Sequence, residues 1–492
     1  MARKISKETW DNWEKLSQTV DKEAVKAERA NQFITQIRKY KLITPLFGGG
    51  AETKKADAVK IIRETEIRGQ LRFWWRAIRG VGTIKEMSER EAEIFGTSAS
   101  EKDGNKLGAS KVKVFVKVDK EGEPKVPFVV VEKTDRFGNV EYNDKTGEPK
   151  TKVIDKKIAP IYAVFPLRPP ENEKFAGMYI PPLQIGVEFT LEISFPKEKR
   201  VDVEASLWAW ETFGGIGGRT RRGFGSVELL KITENGENKS LEIKDEIGEI
   251  IRKEKSSSSG LADFKTFINA NITEFTKDLV GKKIDKNVPH ISINSDFKTQ
   301  SRNKPQEAWE FLIGKLKDFR QARPMERIGD RIDYGQSYWS EPDAIRHLYI
   351  KENPEKEKSL GHSPKKEFDD VENVDKFPRA AFGLPIIFHF MDKEGLPDTE
   401  LKPSEHERLS SPLIIKPVAC EDGKFIALAL VMETRKLSFD EIHLFAPKKP
   451  KPFDIGKVET ELNDDEAKIL TKNGLTLLKN EKDVLKAFLN TI

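Results

Sequence analysis

The stretch from Gly214 to Val227, GGIGGRTRRGFGSV, constrains the fold more than any other part of this chain. Six glycines (Gly214, Gly215, Gly217, Gly218, Gly223 and Gly225) surround three arginines (Arg219, Arg221 and Arg222). Glycine adopts backbone angles closed to other residues and lets a second backbone come close. Arginine carries a planar fork of donors that matches phosphate. Val203 to Phe213 reads as a helix before the loop, and Gly225 to Ile232 as a strand after it. That order is the reverse of a Walker A loop or a dinucleotide fingerprint, both of which run from strand to helix, and no Lys-Ser or Lys-Thr follows the glycines. Two readings stay open: a flexible, arginine-centred loop that grips a phosphodiester backbone, or a surface turn with solvated arginines.

The 492 residues exceed the span that one core commonly fills, about 250–300 residues, so more than one domain is expected. Charged residues make up 34% and the mean hydropathy is -0.58, the composition of a soluble chain. No apolar run reaches the length of a membrane span, and the start, MARKISKETW, lacks the apolar stretch of a signal peptide. Cys420 is the single cysteine, which excludes internal disulfides and thiolate zinc clusters and suits a reducing, cytoplasmic setting. The 86 basic and 81 acidic residues leave a net charge of only +5, so a nucleic-acid argument must rest on local clustering.

Along the chain, residues 1–30 read as a polar helical arm, and Ile34 to Pro45 as a first strand with Ile34, Ile37, Leu42 and Ile43 as its apolar positions. Phe47-Gly48-Gly49-Gly50 breaks that strand, and the loop after it carries Lys54 and Lys55. A helix spans about Glu66 to Val81. Residues 101–185 read as a strand plus an inserted hairpin, Val187 to Phe195 alternates as a strand, and a second helix centres on Glu204 to Thr212. Residues 31–235 therefore read β-α-β-β-α-β, the ferredoxin-like order shared by RNA-recognition motifs. Ser256 to Gly260, SSSSG, reads as a linker and a domain boundary. Residues 261–492 are expected to repeat the α+β plan, with helices over Ala262–Val280, Gln306–Gln321 and after Ser340, and strands at His290–Ile293, Leu384–Phe390, Leu413–Val418 and Phe425–Met432.

Arg68, Arg72, Arg76 and Arg79 fall on one face of the first helix, within an arc of roughly 80°. Ile67, Leu71, Trp74, Ile78 and Val81 fall on another arc, and Trp75 lies beside the arginines. Charges in a row with an aromatic alongside suit a nucleic-acid strand. Such stripes are also found solvated or ion-paired, with Glu64 and Glu66 as partners and Trp75 closing the edge of the core. Catalytic chemistry has little footing. The histidines are His290, His347, His362, His389, His406 and His443, so none falls in residues 1–289 to serve as general base beside the basic features. The acidic pairs Asp369-Asp370 and Asp464-Asp465 sit in polar surroundings, and no metal or nucleophile motif occurs.

LITPLFGGG (Leu42 to Gly50), EIRGQLRFWWRAIRG (Glu66 to Gly80) and GGIGGRTRRGFGSV (Gly214 to Val227) resemble the RAMP superfamily of CRISPR proteins. More closely, they resemble the family of first subunits of Cmr complexes, the type III-B RNA-silencing effectors. YGQSYWSEPDAIR (Tyr334 to Arg346), PRAAFGLPI (Pro378 to Ile386) and RLSSPLIIKP (Arg408 to Pro417) extend the resemblance into the second half. It implies tandem ferredoxin-like domains with insertions, over residues 31–255 and 261–492, and a non-catalytic role in holding guide and target RNA near the guide 3′ end for antiviral defence. In that family other subunits cut the target and make cyclic oligoadenylate. The partners implied are guide RNA, single-stranded target RNA and the other Cmr subunits, with no membrane and no cofactor or metal. On this resemblance Arg219, Arg221 and Arg222, with Gly217, Gly218 and Gly223, match the Gly-rich loop, and Arg72, Trp75 and Arg76 match the aromatic-arginine block. Arg68, Arg79, Lys54 and Lys55 join them as candidate RNA contacts.

The chain departs from the family in residues 1–30 and in a longer insertion near 119–180. Its second half lacks a Gly-rich loop, which leaves packing against a sister subunit as an alternative to RNA contact there. Two rival functions stand beside the RNA grip: a RAMP-type endoribonuclease that processes guide RNA, and a scaffold whose basic loop docks an acidic protein surface. Arg379 and Lys416 are candidate extensions of an RNA path, with ordinary solvated charge as the alternative, and Trp309 and Trp339 are assigned to the core or a subunit contact.

Overall fold

The structure is a computed structural model that describes residues 32–50, 52, 54–57, 59–97, 108–144, 146–169, 179–239, 242–244, 250–253, 255–328, 331–334, 337–354, 374–390, 396–436, 441–446 and 453–492. The arm expected over residues 1–30, along with His362 and Asp369-Asp370, lies outside the described residues. The chain is mixed α+β. The first half runs β1 (Phe33–Leu42), α1 (Glu64–Arg79), α2 (Ile84–Phe95), β2 (Lys113–Lys120), β3 (Glu188–Pro196), α3 (Arg200–Phe213) and β4 (Val227–Glu234), with β5 (Glu237–Lys239) added at the edge. Its sheet has the order β2-β3-β1-β4-β5, with antiparallel pairing throughout. Ile34 faces Phe195 on one side of β1, and Tyr40 faces Leu229 on the other.

The strand period places residues 34, 36, 38, 40 and 42 of β1 on the inner face. Ile37, read from the sequence as an apolar position, is 39% exposed, while Arg38 is 0% exposed. The alternation is obeyed, but the inner face carries charge. Arg38 and Arg252 bind the two buried carboxylates of Glu204 and Glu211 on α3, at 2.6–3.1 Å. Gln36 donates to Glu204 Oε1 at 2.6 Å. Burial alone would raise the Glu211 carboxyl, but Arg38 and Arg252 hold it below the usual carboxylate range. Two guanidinium groups and two carboxylates meet the rule that buried charges be paired.

Every residue of α3 from Val203 to Phe213 is buried. A helix buried all round needs cover on both sides, and the second half supplies it. That half contains α4 (Leu261–Thr276), β6 (Phe297–Arg302), α5 (Pro305–Gln321), β7 (Leu413–Ala419) and β8 (Phe425–Val431). These three strands form a sheet in the order β6-β8-β7. Along β7 and β8, Ile414, Ile426, Leu428 and Leu430 join the core around α3 and α4. Leu413, Ile415, Ala427 and Ala429 face the other way, into a second core with Trp309, Leu312, Leu316 and Phe319 of α5. The sheet is therefore covered on both faces. A separate four-stranded sheet orders Ile386–Phe388, Thr399–Pro403, Ile442–Ala446 and Phe453–Lys457 side by side. Met325–Ile328 and Arg331–Tyr334 pair as a two-stranded ribbon, so the described strands of the second half are divided among three sheets.

Ser256 to Gly260 is not the free linker that its composition predicts. Ser256 and Ser259 are 2% and 6% exposed. The Ser256 carbonyl accepts from Glu421 N at 3.0 Å, and Asp422 Oδ2 accepts from Ser259 N at 3.0 Å. Serine hydroxyls satisfy local backbone groups as readily as they solvate a linker. Asp464-Asp465 opens a helix capped by Asn463, where carboxylates complement the helix N-terminus.

Candidate nucleic-acid interface

The Gly-rich segment leaves the C-terminus of α3 and threads between the Thr44–Phe47 segment and α5. Close packing accounts for its glycines. A Cβ on Gly225 (φ 59°) would lie 1.9 Å from the Ile216 carbonyl oxygen, and one on Gly217 (φ 79°) 2.6 Å from Leu46 Cδ1. The loop's backbone groups are paired along its length. Gly218 N donates to the Phe47 carbonyl at 2.6 Å, Gly225 N to that of Pro45 at 2.9 Å, and Ile216 N to that of Gly225 at 3.0 Å. Thr44 Oγ1 and the Trp309 indole donate to the carbonyls of Gly223 and Arg222, at 2.6 and 2.7 Å. The sequence predicts a flexible loop. The structure replaces it with a rigid one, because so many glycines allow neighbouring backbone to come within contact distance.

This rigidity fixes three arginine side chains. Arg219, in the left-handed region at φ 58°, is exposed, with its guanidinium 5.9 Å from the centre of the Phe47 ring. Arg221 lies 5.5 Å from the Phe73 ring and donates to the Ser411 carbonyl. Arg222 donates to the carbonyls of Leu413 at 3.2 Å and Phe382 at 3.3 Å. Among the described residues, the partners of Arg221 and Arg222 are carbonyls and rings, and no carboxylate pairs with any of the three. Burial, then the charges of Arg320, Arg219 and Arg221, pushes the Arg222 guanidinium down to about 9, with a smaller opposing effect from Tyr162. Burial also lowers Arg221. A cluster of cations with depressed basicity and no counter-charge is set up to receive an anion.

Beside the loop, a cleft of about 530 Å³ opens between Phe47–Gly50 and Gly217–Gly218, with Lys54, Arg63 and Glu66 on its walls. Lys54 Nζ donates to the Pro166 carbonyl at 2.9 Å, and Lys55 pairs with Glu52. Glu66 Oε1 accepts from Gly217 N at 2.5 Å, while Oε2 is buried with no hydrogen-bond partner. Burial raises the Glu66 carboxyl above its ordinary range.

The arginine helix is largely withdrawn from this interface. Trp75 is 0% exposed and donates to Asp202 at 2.8 Å, so its ring offers no face to a base. Arg79 is buried between Asp202 and Asp278, at 2.6 and 2.8 Å. Arg72 and Arg76 both bind Glu91 of α2, at 2.5 and 2.6 Å. Of the stripe, only Arg68 has no carboxylate partner among the described residues, and its Nε is buried without a hydrogen bond. The physical reason is the α1–α2 hairpin, which swings Glu91 over the stripe. In the second half, Lys416 is 0% exposed and donates to the carbonyls of Glu211 and Gly214, at 3.1 and 2.6 Å, closing the C-terminal end of α3. Arg379 is paired with Glu341 at 2.7 Å. Both are internal ties, so neither extends an RNA path. Trp309 and Trp339 are core residues, as expected. Sequence reasoning missed Arg320 and Tyr162, neither of which lies in a glycine–arginine motif, and took Glu66 for a partner of the arginine stripe, where the structure has it accept from Gly217 N. Among the described residues no cluster of His, Cys, Asp and Glu has metal-binding geometry, and no helix is long and apolar enough to cross a membrane.

Residues 39–228 match the RAMP superfamily. The chain is similar to the CRISPR system Cmr subunit Cmr1-2 of Pyrococcus furiosus, at 26% identity over 200 residues, which is 39% of this chain and 93% of the relative. Among solved structures, apo Cmr1 from Pyrococcus furiosus aligns with a TM-score of 0.43 at 14% identity, covering 89% of this chain and 96% of that one. A chain of the type III-B Cmr-beta structure bound to cognate target RNA aligns with a TM-score of 0.44 at 15% identity, covering 91% of this chain and 99% of that one.

Proposed function

We propose that this chain is a Cmr1-type subunit of a type III-B CRISPR effector ribonucleoprotein. In this reading it holds the phosphate backbone of guide or target RNA near the guide 3′ end and performs no catalysis itself. Guide RNA, target RNA and the other Cmr subunits are its partners. The observation that carries the reading is the rigid loop presenting Arg219, Arg221 and Arg222 with no carboxylate partner among the described residues. Contacts of this kind address phosphates and carry no sequence information, so sequence selection falls to guide–target pairing. The cleft beside the loop, lined by Lys54 and by glycine backbone, continues the path for the strand. The strand order of the first half supports a ferredoxin-like domain over residues 31–255. In the second half, β6-α5 followed by β7 and β8 supports a second such domain over residues 261–492 that lacks one edge strand among the described residues.

The test is binding of a labelled single-stranded RNA to the wild type and to Arg219→Ala/Arg221→Ala/Arg222→Ala, with the RNA run on a denaturing gel afterwards. The reading requires a loss of affinity of at least tenfold, about 1.4 kcal/mol, in a variant whose circular dichroism is unchanged, with intact RNA in both samples. Equal affinity removes the loop from the RNA path. RNA cut by the wild type makes the chain a nuclease.

A further inference from the structure

We propose that Arg320, in the last turn of α5, completes a phosphate site with Arg219 and Arg222, so that one RNA phosphate is held jointly by both halves of the chain. The proposal rests on reading the Gly-rich loop as an RNA grip and adds a residue that neither the loop motif nor the matched segment 39–228 contains.

Arg320 is brought to the loop by the packing of α5. Ala308, Trp309, Leu312, Ile313, Leu316 and Phe319 form the buried stripe of this helix against the three-stranded sheet. Trp309 at one end of the stripe donates to the Arg222 carbonyl at 2.7 Å. At the other end, the Arg320 guanidinium lies 5.9 Å from the centre of the Phe382 ring, and the Phe382 carbonyl accepts from Arg222 Nη2 at 3.3 Å. Arg320 and Arg222 therefore converge on one residue from two elements. The inserted segment supplies a third side. Tyr162, in the short helix Ile161–Val164, packs against the core that the buried stripe of α5 builds.

The charge balance points to an anion. Arg320 has no carboxylate partner among the described residues, and its Nε is buried without a hydrogen bond. Glu341, a carboxylate at this end of α5, is already taken by Arg379 at 2.7 Å. Arg379 Nη1 also donates to the Arg320 carbonyl at 2.9 Å, which holds the end of α5 while leaving the Arg320 side chain free of that pair. Three guanidinium groups thus share one neighbourhood without counter-charge. Like charges gathered in one neighbourhood repel, and an anion placed among them offsets that repulsion. Guanidinium forks suit phosphate oxygens in particular.

Arg320→Gln tests this in the full-length chain, with Arg320→Lys as the charge-keeping control. The Gln variant is expected to bind single-stranded RNA three- to tenfold more weakly, at roughly the level of one lost phosphate contact, and to flatten the slope of log affinity against log salt by about 0.7. The Lys variant is expected to keep the wild-type slope. Without RNA, the thermal midpoint of the Gln variant should equal or exceed that of the wild type, because a repulsion has been removed. Sodium sulfate should raise the wild-type midpoint more than that of the Gln variant. The proposal is overturned if the Gln variant matches the wild type in affinity and slope while the loop triple variant still loses RNA, because the loop then grips alone. Equal binding by all the variants would overturn both readings. A Gln variant with a lowered midpoint and an unchanged salt slope would make Arg320 structural.

Discussion

Gly223→Ala probes the claim that the Gly-rich loop is a rigid mount. Gly223 has φ 83°, and a Cβ there would lie 2.6 Å from Trp309 Nε1, 2.7 Å from Trp309 Cδ1 and 3.1 Å from the Ile415 carbonyl oxygen. Trp309 has no room to retreat: it is 0% exposed and meets Phe224 edge-on at 4.8 Å. Holding alanine in the left-handed region costs about 1–2 kcal/mol. Overpacking against a fixed indole adds about 1–3 kcal/mol, and losing the Trp309 bond to the Arg222 carbonyl adds about 1 kcal/mol. The sum is about 3–6 kcal/mol, large against the stability of a typical domain. Urea unfolding followed by circular dichroism reads it as a lower midpoint at unchanged slope. A loss below about 1 kcal/mol would refute the packing argument, since only a loop or indole free to move aside could take up the extra carbon so cheaply.

Three further outcomes follow from the same geometry. Burial pushes the Lys416 ammonium from 10.5 down to about 7, so the neutral form is favoured in the fold. No penalty exists above 10.5, it grows as pH falls toward about 7, and it is constant below, on the order of 5 kcal/mol at full size. Comparing the melting of wild type and Lys416→Met across that window should show the wild type gaining relative stability as pH rises; parallel curves would contradict the buried placement. Glu66→Gln keeps an acceptor for Gly217 N and removes a carboxylate whose protonated form the fold prefers. It should stabilise the chain near neutral pH, with the advantage shrinking as pH falls and Glu66 takes up its proton, and it should tighten RNA binding; a weaker complex would mean that the carboxylate itself contacts RNA. Trp75→Phe removes the bond to Asp202 and should cost about 1 kcal/mol of stability while leaving RNA affinity unchanged; a loss of affinity in a stable variant would restore Trp75 to the interface.

The strands of the first half were legible because β1, β2 and β3 alternate cleanly enough for period-two reading, and glycines mark the breaks. The inner face of β1 was not, because Arg38 looks like a solvent residue until Glu204, Glu211 and Arg252 are brought to it from distant positions. The arginine stripe of α1 misled for the same reason. Its pairing with Glu91 joins residues 15 and 19 apart across a helix hairpin, beyond any helical i,i+4 rule. The Gly-rich loop announced its position in the fold but not its stiffness, which depends on Thr44, Phe47 and Trp309 approaching from elsewhere. The serine run misled because composition records polarity and says nothing of whether water or Asp422 receives the hydrogen bonds.

The measurement closest to the central claim is the salt dependence of single-stranded RNA affinity for the wild type and for Arg219→Ala/Arg221→Ala/Arg222→Ala. Each phosphate contact on a single strand contributes about 0.7 to the slope of log affinity against log salt. Three arginines on phosphates predict a slope flatter by about 2 in the variant. Parallel lines for the two proteins would contradict the account, because RNA would then be held somewhere other than the arginine loop.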